Sequence, residues 1–395
     1  MDDSTGGAAR WESPLGVALA AMSVLAVAMG IGRFAFTPLL PMMQHDAGLT
    51  LAAAGWLASA NYLGYLAGAL SALWLRMRAA SVIRAALAAI VLSTAAMGAT
   101  REPYLWAALR LISGIASAWA FVFASAWALH VLSARRGGRL GGVVYAGVGL
   151  GIALAGFCCV VFLRLGWSSA QAWIALGAVA LLLALPGWRG YGGADPARDS
   201  ATARAAPVPQ RFSARQWRLI VCYGVFGFGY IVTATFLPAM ARQVIADPAV
   251  FGWAWPLFGA AALIATLAAG SLSAHVSHRW IWIGAQAALA LGVALPVLWP
   301  GFAAIALSAL VVGGMFMVIT SAGIQHARSA AAGDPAPMIA AMTAAFATGQ
   351  MLGPVLVSLL SGRSDALEWS LIVACVVLVA SAAALAIPGP RGRAT

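Results

Sequence analysis

Charged side chains are scarce in this 395-residue chain: 9% of its residues are charged, whereas 63% are hydrophobic. A water-soluble domain cannot hide so much apolar surface, because even a folded soluble protein keeps a polar exterior. A lipid bilayer removes this difficulty, because it is itself the solvent for apolar side chains. One membrane-spanning helix needs roughly 20 mostly apolar residues, so the chain has room for about a dozen spans with short loops.

Lysine is absent, and all 23 basic residues are arginine. A self-contained ATP-driven pump of the usual kind is excluded, because its phosphate-binding loop requires a lysine. The net charge of +12 does not indicate a nucleic-acid partner, because the arginines lie at the ends of apolar stretches and not on one soluble face.

Catalytic and metal-binding patterns are also missing. The sequence contains no His-Glu-x-x-His motif, and its four cysteines lie inside apolar stretches without the spacing of metal ligands. Serines within the apolar stretches lack a histidine at the same depth that could activate them. We therefore expect no enzymatic activity, no metal and no cofactor.

What the chain does have is a series of twelve apolar stretches, each long enough for a tilted spanning helix. They run over 15–43, 51–75, 79–99, 104–132, 140–165, 168–188, 217–241, 249–274, 280–299, 301–325, 337–361 and 366–388. The sequence thus predicts an all-α membrane protein with twelve transmembrane helices.

A polar stretch divides this series into two sets of six. It is rich in arginine and proline, as expected of a linker. We predict an N-terminal six-helix bundle over 1–190, a cytoplasmic linker over 191–214 and a C-terminal six-helix bundle over 215–395.

The arginines also predict the orientation. If the N-terminus is cytoplasmic, most arginines outside the spans fall on the inner side, and only Arg101, Arg164, Arg242 and Arg363 fall on the outer side. Cytoplasmic loops of membrane proteins carry an excess of basic residues. We therefore predict a multi-pass protein of the bacterial cytoplasmic membrane with both termini inside.

The two sets of six stretches repeat each other in sequence. Gly30-Ile-Gly-Arg in the first stretch corresponds to Gly227-Phe-Gly-Tyr in the seventh. At the same offset, Leu40-Pro-Met-Met corresponds to Leu237-Pro-Ala-Met. An ordered series of such matches indicates duplication of a six-helix unit.

A duplicated six-span unit with a basic central linker resembles the major facilitator superfamily of transporters. Arg110-Leu-Ile-Ser-Gly114 is similar to its Arg-x-x-x-Gly motif, and Gly68-x-Leu-Ser to its loop 2–3 signature, although Ala72 replaces the usual aspartate. The segment from Gly30 to Met42 resembles the first-span signature of the uncharacterised YbfB/YjiJ-type branch. The resemblance implies a monomer of two pseudo-symmetric six-helix bundles that transports a small solute by alternating access.

Carboxylates are absent from the middle of every predicted span. The 11 acidic residues lie in tails, in loops or at span ends. Proton-coupled transporters usually carry an acid within the membrane, and exporters of lipophilic cations usually need one as a counter-charge. Both of these mechanisms are therefore disfavoured.

Two charged residues lie inside predicted spans and away from their ends, and both are arginines: Arg33 and Arg110. Each could bond helix-end carbonyl groups, with Arg110 capping the fifth span, or extend towards the membrane surface. Alternatively, each could bind an anionic substrate with its planar guanidinium. We expect the last role for Arg33, and hence a small anionic or carboxylate-bearing solute.

Further candidates for contact with substrate are polar side chains within the spans. They are Thr37, Asn61, Tyr62, Tyr145, Tyr230 and Gln350, with Tyr223, Thr233 and Gln286 beside them. Each could equally form a hydrogen bond between helices. The alternatives are an efflux transporter of drugs or metabolites with the same fold, a non-transporting membrane sensor and a membrane-embedded enzyme. The expected partners are the solute and the lipid bilayer, without nucleic acid.

Overall fold

The computed structural model is almost entirely helical. It describes residues 13–387 except 73, 76, 136, 138–139, 192–211, 245–246, 248–251, 273–275 and 331–335. The described helices are α1 (Pro14–Asp46), α2 (Leu51–Ser71), α3 (Ala79–Met97), α4 (Pro103–Ala134), α5 (Gly141–Arg164), α6 (Ser169–Gly190), α7 (Ala214–Val244), α8 (Ala254–Leu272), α9 (His278–Leu298), α10 (Phe302–Ala330), α11 (Ala336–Leu360) and α12 (Ala366–Ala386). They confirm the predicted all-α fold of twelve helices, with ends within a few residues of the predicted ones.

Ten of the described helices are long and apolar enough to cross a membrane, and α8 contributes the shorter apolar helix Ala254–Ala269. The remaining helix, α2, carries several polar side chains. Two of them, Asn61 and Tyr62, are exposed by only 0% and 2%. These polar side chains are buried against other helices.

The helices of the first half, α1–α6, pack in the same pattern as those of the second half, α7–α12. In the first half α2 packs on α4, α3 on α4 and α6, and α1 on α5. In the second half α8 packs on α10, α9 on α10 and α12, and α7 on α11. Between the halves α5 packs on α8 and α2 on α11. The bounds of the two bundles stay a prediction, and most of the predicted linker lies outside the described residues.

The first helix is interrupted near its centre. It is α-helical over Pro14–Leu25, π-helical over Ala26–Ile31 and α-helical again over Phe36–Asp46. The π-helical part lies where α1 meets α5. A Cβ atom at Gly30 would collide with the backbone of Gly151, so this close approach requires glycine.

The interruption leaves backbone carbonyl groups without their usual donors. Pro38 has no N–H and so cannot bond the carbonyl of Phe34 as an α-helix would. The N–H of Thr37 bonds that carbonyl instead, at 3.2 Å. The carbonyl of Arg33, which would accept from Thr37 in a regular helix, therefore needs a donor from elsewhere. The sequence analysis did not predict this.

Candidate functional site

Arg33 follows the π-helical part of α1 and is buried, with 1% of its surface exposed. Its Nη2 donates to Oε1 of Gln350 at 2.7 Å, and its Nη1 lies 3.9 Å from the sulfur of Met29. Its Nε has no hydrogen-bond partner among the described residues. All of these neighbours are neutral, so the positive charge of Arg33 is not compensated.

Aromatic rings surround the rest of this guanidinium. Its central carbon lies 3.9 Å from the ring centroid of Tyr65, 5.3 Å from that of Tyr62 and 5.0 Å from that of Phe34. A cation within about 6 Å of a ring face is attracted by the ring quadrupole. The rings therefore help to hold Arg33 in the protein interior, but they add no negative charge.

No aspartate or glutamate in the described part of the chain forms an ion pair with Arg33 or Arg110. The described acids have other positions: Asp46 accepts hydrogen bonds at the start of α6, and Asp365 pairs with Arg363 at 2.8 Å in the loop before α12. An unpaired charge inside a membrane is costly, and such residues usually mark a substrate or ion pathway.

Arg110 is also buried, but its guanidinium bonds backbone oxygens. Its Nη2 donates to the carbonyl of Arg33 at 3.0 Å and its Nη1 to that of Gly32 at 3.4 Å. The Gly32 carbonyl also accepts from Asn61 at 3.2 Å and from Ser113 at 2.8 Å. Donors from α2 and α4 thus satisfy the carbonyls that the interruption of α1 leaves free. The interpretation that Arg110 caps the fifth span is wrong, because its partners lie in α1.

A cavity of about 10 Å³ lies beside Arg110, between α1, α3, α4 and α6. Because a water molecule needs a cavity of roughly 10–15 Å³, this one holds a single water at most. It is too small for a solute, and contact between Arg110 and a substrate stays a prediction.

A chain of side chains joins Arg33 to the second half of the molecule. The amide of Gln350 in α11 accepts from Arg33 through Oε1 and donates to the hydroxyl of Tyr230 in α7 through Nε2. Tyr230 stands at the repeat position of Arg33. Arg33 and Tyr230, both predicted from the sequence, therefore each bond Gln350, which was also predicted.

Other predicted residues also bond across the two halves. Thr37 donates to the carbonyl of Ala234 at 3.1 Å, and the hydroxyls of Tyr62 and Thr235 are 3.1 Å apart. Further bonds of this kind join Ser59 to Met351, Ser358 to Ala52 and Arg242 to Pro41. These contacts lie towards one end of the molecule, the end that carries the α1–α2 loop, and we call it the loop end. There they hold the two halves of the molecule together, so the loop end is closed.

Tyr145 lies apart from this hydrogen-bonded group. It is half-buried in α5, and its ring centroid lies 6.0 Å from that of Phe121. The structure does not join it to Arg33 by a described hydrogen bond.

The sequence analysis missed Tyr65, Ser113 and Thr235. Two of them could have been found from helical spacing, because side chains three or four residues apart share a helix face. Tyr65 stands four residues after Asn61, and Ser113 stands three residues after Arg110. Thr235 gave no such signal, because its partner Tyr62 lies on another helix.

Comparison with solved structures supports the predicted fold. The structure is similar to that of a D-xylose-proton symporter, with a TM-score of 0.77 and 13% sequence identity, over 95% of this chain and 98% of that chain. Similarity at this level of identity shows that the two proteins share a fold.

The family follows from the sequence itself. Residues 25–386 match the sequence model of the family described as uncharacterised MFS-type transporter YbfB, and the chain belongs to this family. No curated protein sequence matches the chain. The resemblance deduced from the first-span signature is thereby confirmed, and the protein is a multi-pass membrane transporter of the major facilitator type.

Proposed function

We propose that the protein transports a small anionic or carboxylate-bearing solute by alternating access, and that Arg33 binds the negative group. The observation that carries this proposal is the buried, uncompensated charge of Arg33. In a medium of low dielectric constant, a lone cation attracts an anion strongly and repels another cation. The planar guanidinium is also suited to a carboxylate, with which it can form two parallel hydrogen bonds.

Gln350 has a defined part in this mechanism. Its amide oxygen is the acceptor that holds Arg33 when no anion is bound. A carboxylate is a stronger acceptor for a guanidinium than a neutral amide, because it adds a charge–charge attraction and can accept two parallel hydrogen bonds. The anion therefore displaces Gln350 from Arg33. This breaks a bond between the two halves and couples binding to opening of the loop end.

The hydrogen bonds at the loop end support entry of the solute from the opposite end of the molecule in this conformation. That opposite end carries the start of α1 and the end of α12, and the distribution of arginines in the sequence predicts that it is cytoplasmic. We place the protein as a monomer in the bacterial cytoplasmic membrane, with the solute and lipid as its partners. Alkaline phosphatase fused after Thr395 should then be inactive in cells, and an active fusion would contradict this orientation.

The proposed anion site can be tested by thermal unfolding of the detergent-purified protein. We expect at least one of the sodium salts of acetate, benzoate, succinate and phosphate to raise the midpoint at matched ionic strength, because a ligand stabilises the state that binds it. Arg33→Gln should lose this shift, and Arg33→Lys should keep part of it.

The control ligand is tetraphenylphosphonium, a lipophilic cation, added as its chloride. It should not stabilise the wild-type protein, because Arg33 repels it. Stabilisation by this cation together with no Arg33-dependent effect of any anion would contradict the proposal and favour a drug exporter of the same fold.

A further inference from the structure

We propose that the solute is a monoanion with an aromatic body, that is, an aromatic monocarboxylate. Its carboxylate binds Arg33, and its ring packs beside Phe346 of α11. This inference rests on the proposed function and adds the number of charges and the chemistry of the uncharged part.

The number of charges follows from what each buried arginine already binds. The Nη atoms of Arg110 donate to the carbonyls of Gly32 and Arg33, so this guanidinium is committed to holding α1. Of these two arginines, Arg33 is the one that donates to a neutral side-chain acceptor, Gln350, which a ligand can replace. A dicarboxylate or a phosphate dianion would leave one negative charge buried without a partner, which is strongly unfavourable.

Most polar side chains nearby are already paired, which leaves few groups for a sugar or a polyol to bind. Among the predicted residues, Oδ1 of Asn61 and Oγ1 of Thr233 are the buried oxygens without a described partner. The hydroxyl of Thr37 bonds a backbone carbonyl, and that of Tyr62 is paired with Thr235. On α11, Thr343 and Thr348 donate to carbonyls of their own helix at 2.8 and 2.9 Å. A solute with many hydroxyls would therefore lose hydrogen bonds to water without replacing them.

Aromatic rings, in contrast, lie directly beside the Arg33–Gln350 bond. Phe346 stands four residues before Gln350, so both side chains share one face of α11. The Phe346 ring is nearly parallel to that of Tyr230, with centroids 5.8 Å apart and an interplanar angle of 8°. When the amide of Gln350 is displaced, the group that enters its place meets these ring faces.

The cluster of rings continues along α7 towards the start of that helix, where the side chains of Phe226 and Tyr223 are buried. Phe226 lies 5.4 Å from Tyr230, and Tyr223 lies 5.5 Å from Phe226, measured between ring centroids. Phe346 contacts both, at 5.2 and 5.4 Å. Phe346 is the half-buried ring of this cluster, so a planar apolar ligand whose carboxylate binds Arg33 can pack its ring against Phe346.

Titration calorimetry of the purified protein with benzoate, cyclohexanecarboxylate, acetate, succinate, phosphate and benzyl alcohol tests this inference. Benzoate should bind at least about tenfold more tightly than acetate or succinate. It should also bind more tightly than cyclohexanecarboxylate, which has no aromatic ring. Benzyl alcohol, which lacks the charge, should not bind. Phe346→Leu should weaken benzoate binding several-fold and leave acetate binding unchanged. Phe157→Leu, at an exposed position on α5, is the matched control and should change neither.

Two outcomes separate this inference from the proposed function. If succinate or phosphate binds through Arg33 more tightly than benzoate does, the inference of a monoanionic aromatic solute is wrong, but the proposal that Arg33 binds an anion is retained. If none of these anions loses binding in Arg33→Gln, both proposals are wrong. Phe346→Met replaces Phe346→Leu if the leucine variant does not fold, because methionine also lacks a ring face.

Discussion

Gln350→Glu is expected to weaken anion binding roughly ten- to hundredfold and to hold the loop end closed. The new carboxylate would lie at the position of the amide oxygen, 2.7 Å from Nη2 of Arg33, and would act as a ligand tethered to the protein. In a medium of low dielectric constant, the carboxylate adds a charge–charge attraction to Arg33 that the neutral amide lacks. A free anion would then compete with an acceptor as strong as itself, and its affinity should fall roughly ten- to hundredfold.

The conformational part of this prediction can be measured without a ligand. Spin labels at His45 and Ser364, which are exposed near the loop end of the first and second halves, report the distance between the halves. The labels require a background in which the four native cysteines are replaced. Gln350→Glu should give one short distance that benzoate does not change.

Gln350→Met is the matched control, because it keeps the size of the side chain but cannot accept from Arg33. It should broaden the distance distribution and leave Arg33 available to anions. Longer distances in Gln350→Glu than in Gln350→Met would contradict the coupling between Arg33 and closure of the loop end.

Arg110→Leu is expected to destabilise the protein by about 2–3 kcal/mol, because it removes the side-chain donor to the Arg33 carbonyl. That carbonyl is buried and accepts from Arg110 at 3.0 Å. The Gly32 carbonyl would keep Asn61 and Ser113 as donors. The unfolding midpoint and the folded fraction in size-exclusion chromatography should both fall.

Arg33→Met provides the comparison for this variant. Its guanidinium bonds no backbone carbonyl in the described structure, and its removal eliminates an uncompensated buried charge. Arg33→Met should therefore be at least as stable as the wild type while losing anion binding. If Arg110→Leu were as stable as the wild type and lost only affinity, Arg110 would bind the solute and would not support α1.

The helices could be predicted from the sequence because each is formed by one continuous apolar stretch. The duplication was visible for a related reason: residues such as Gly30 and Gly227 occupy equivalent positions in two copies of one unit. Arg33 could be recognised as a candidate because a charge within an apolar stretch is conspicuous without any knowledge of packing.

The arrangement around Arg33 could not be predicted in the same way. The partners of Arg110 depend on which carbonyls of α1 are free, and this depends on the interruption before Phe36. The bond between Arg33 and Gln350 joins residues of α1 and α11, whose contact is set by how the two halves meet. Neither local propensity nor hydrophobic periodicity contains this information.

The most direct test of the central claim, that Arg33 binds the transported anion, is exchange of radiolabelled benzoate in proteoliposomes. The account predicts rapid exchange by the wild type, reduced exchange by Arg33→Lys and none above protein-free liposomes by Arg33→Met, with all three proteins equally folded. Exchange by Arg33→Met at the wild-type rate would contradict it.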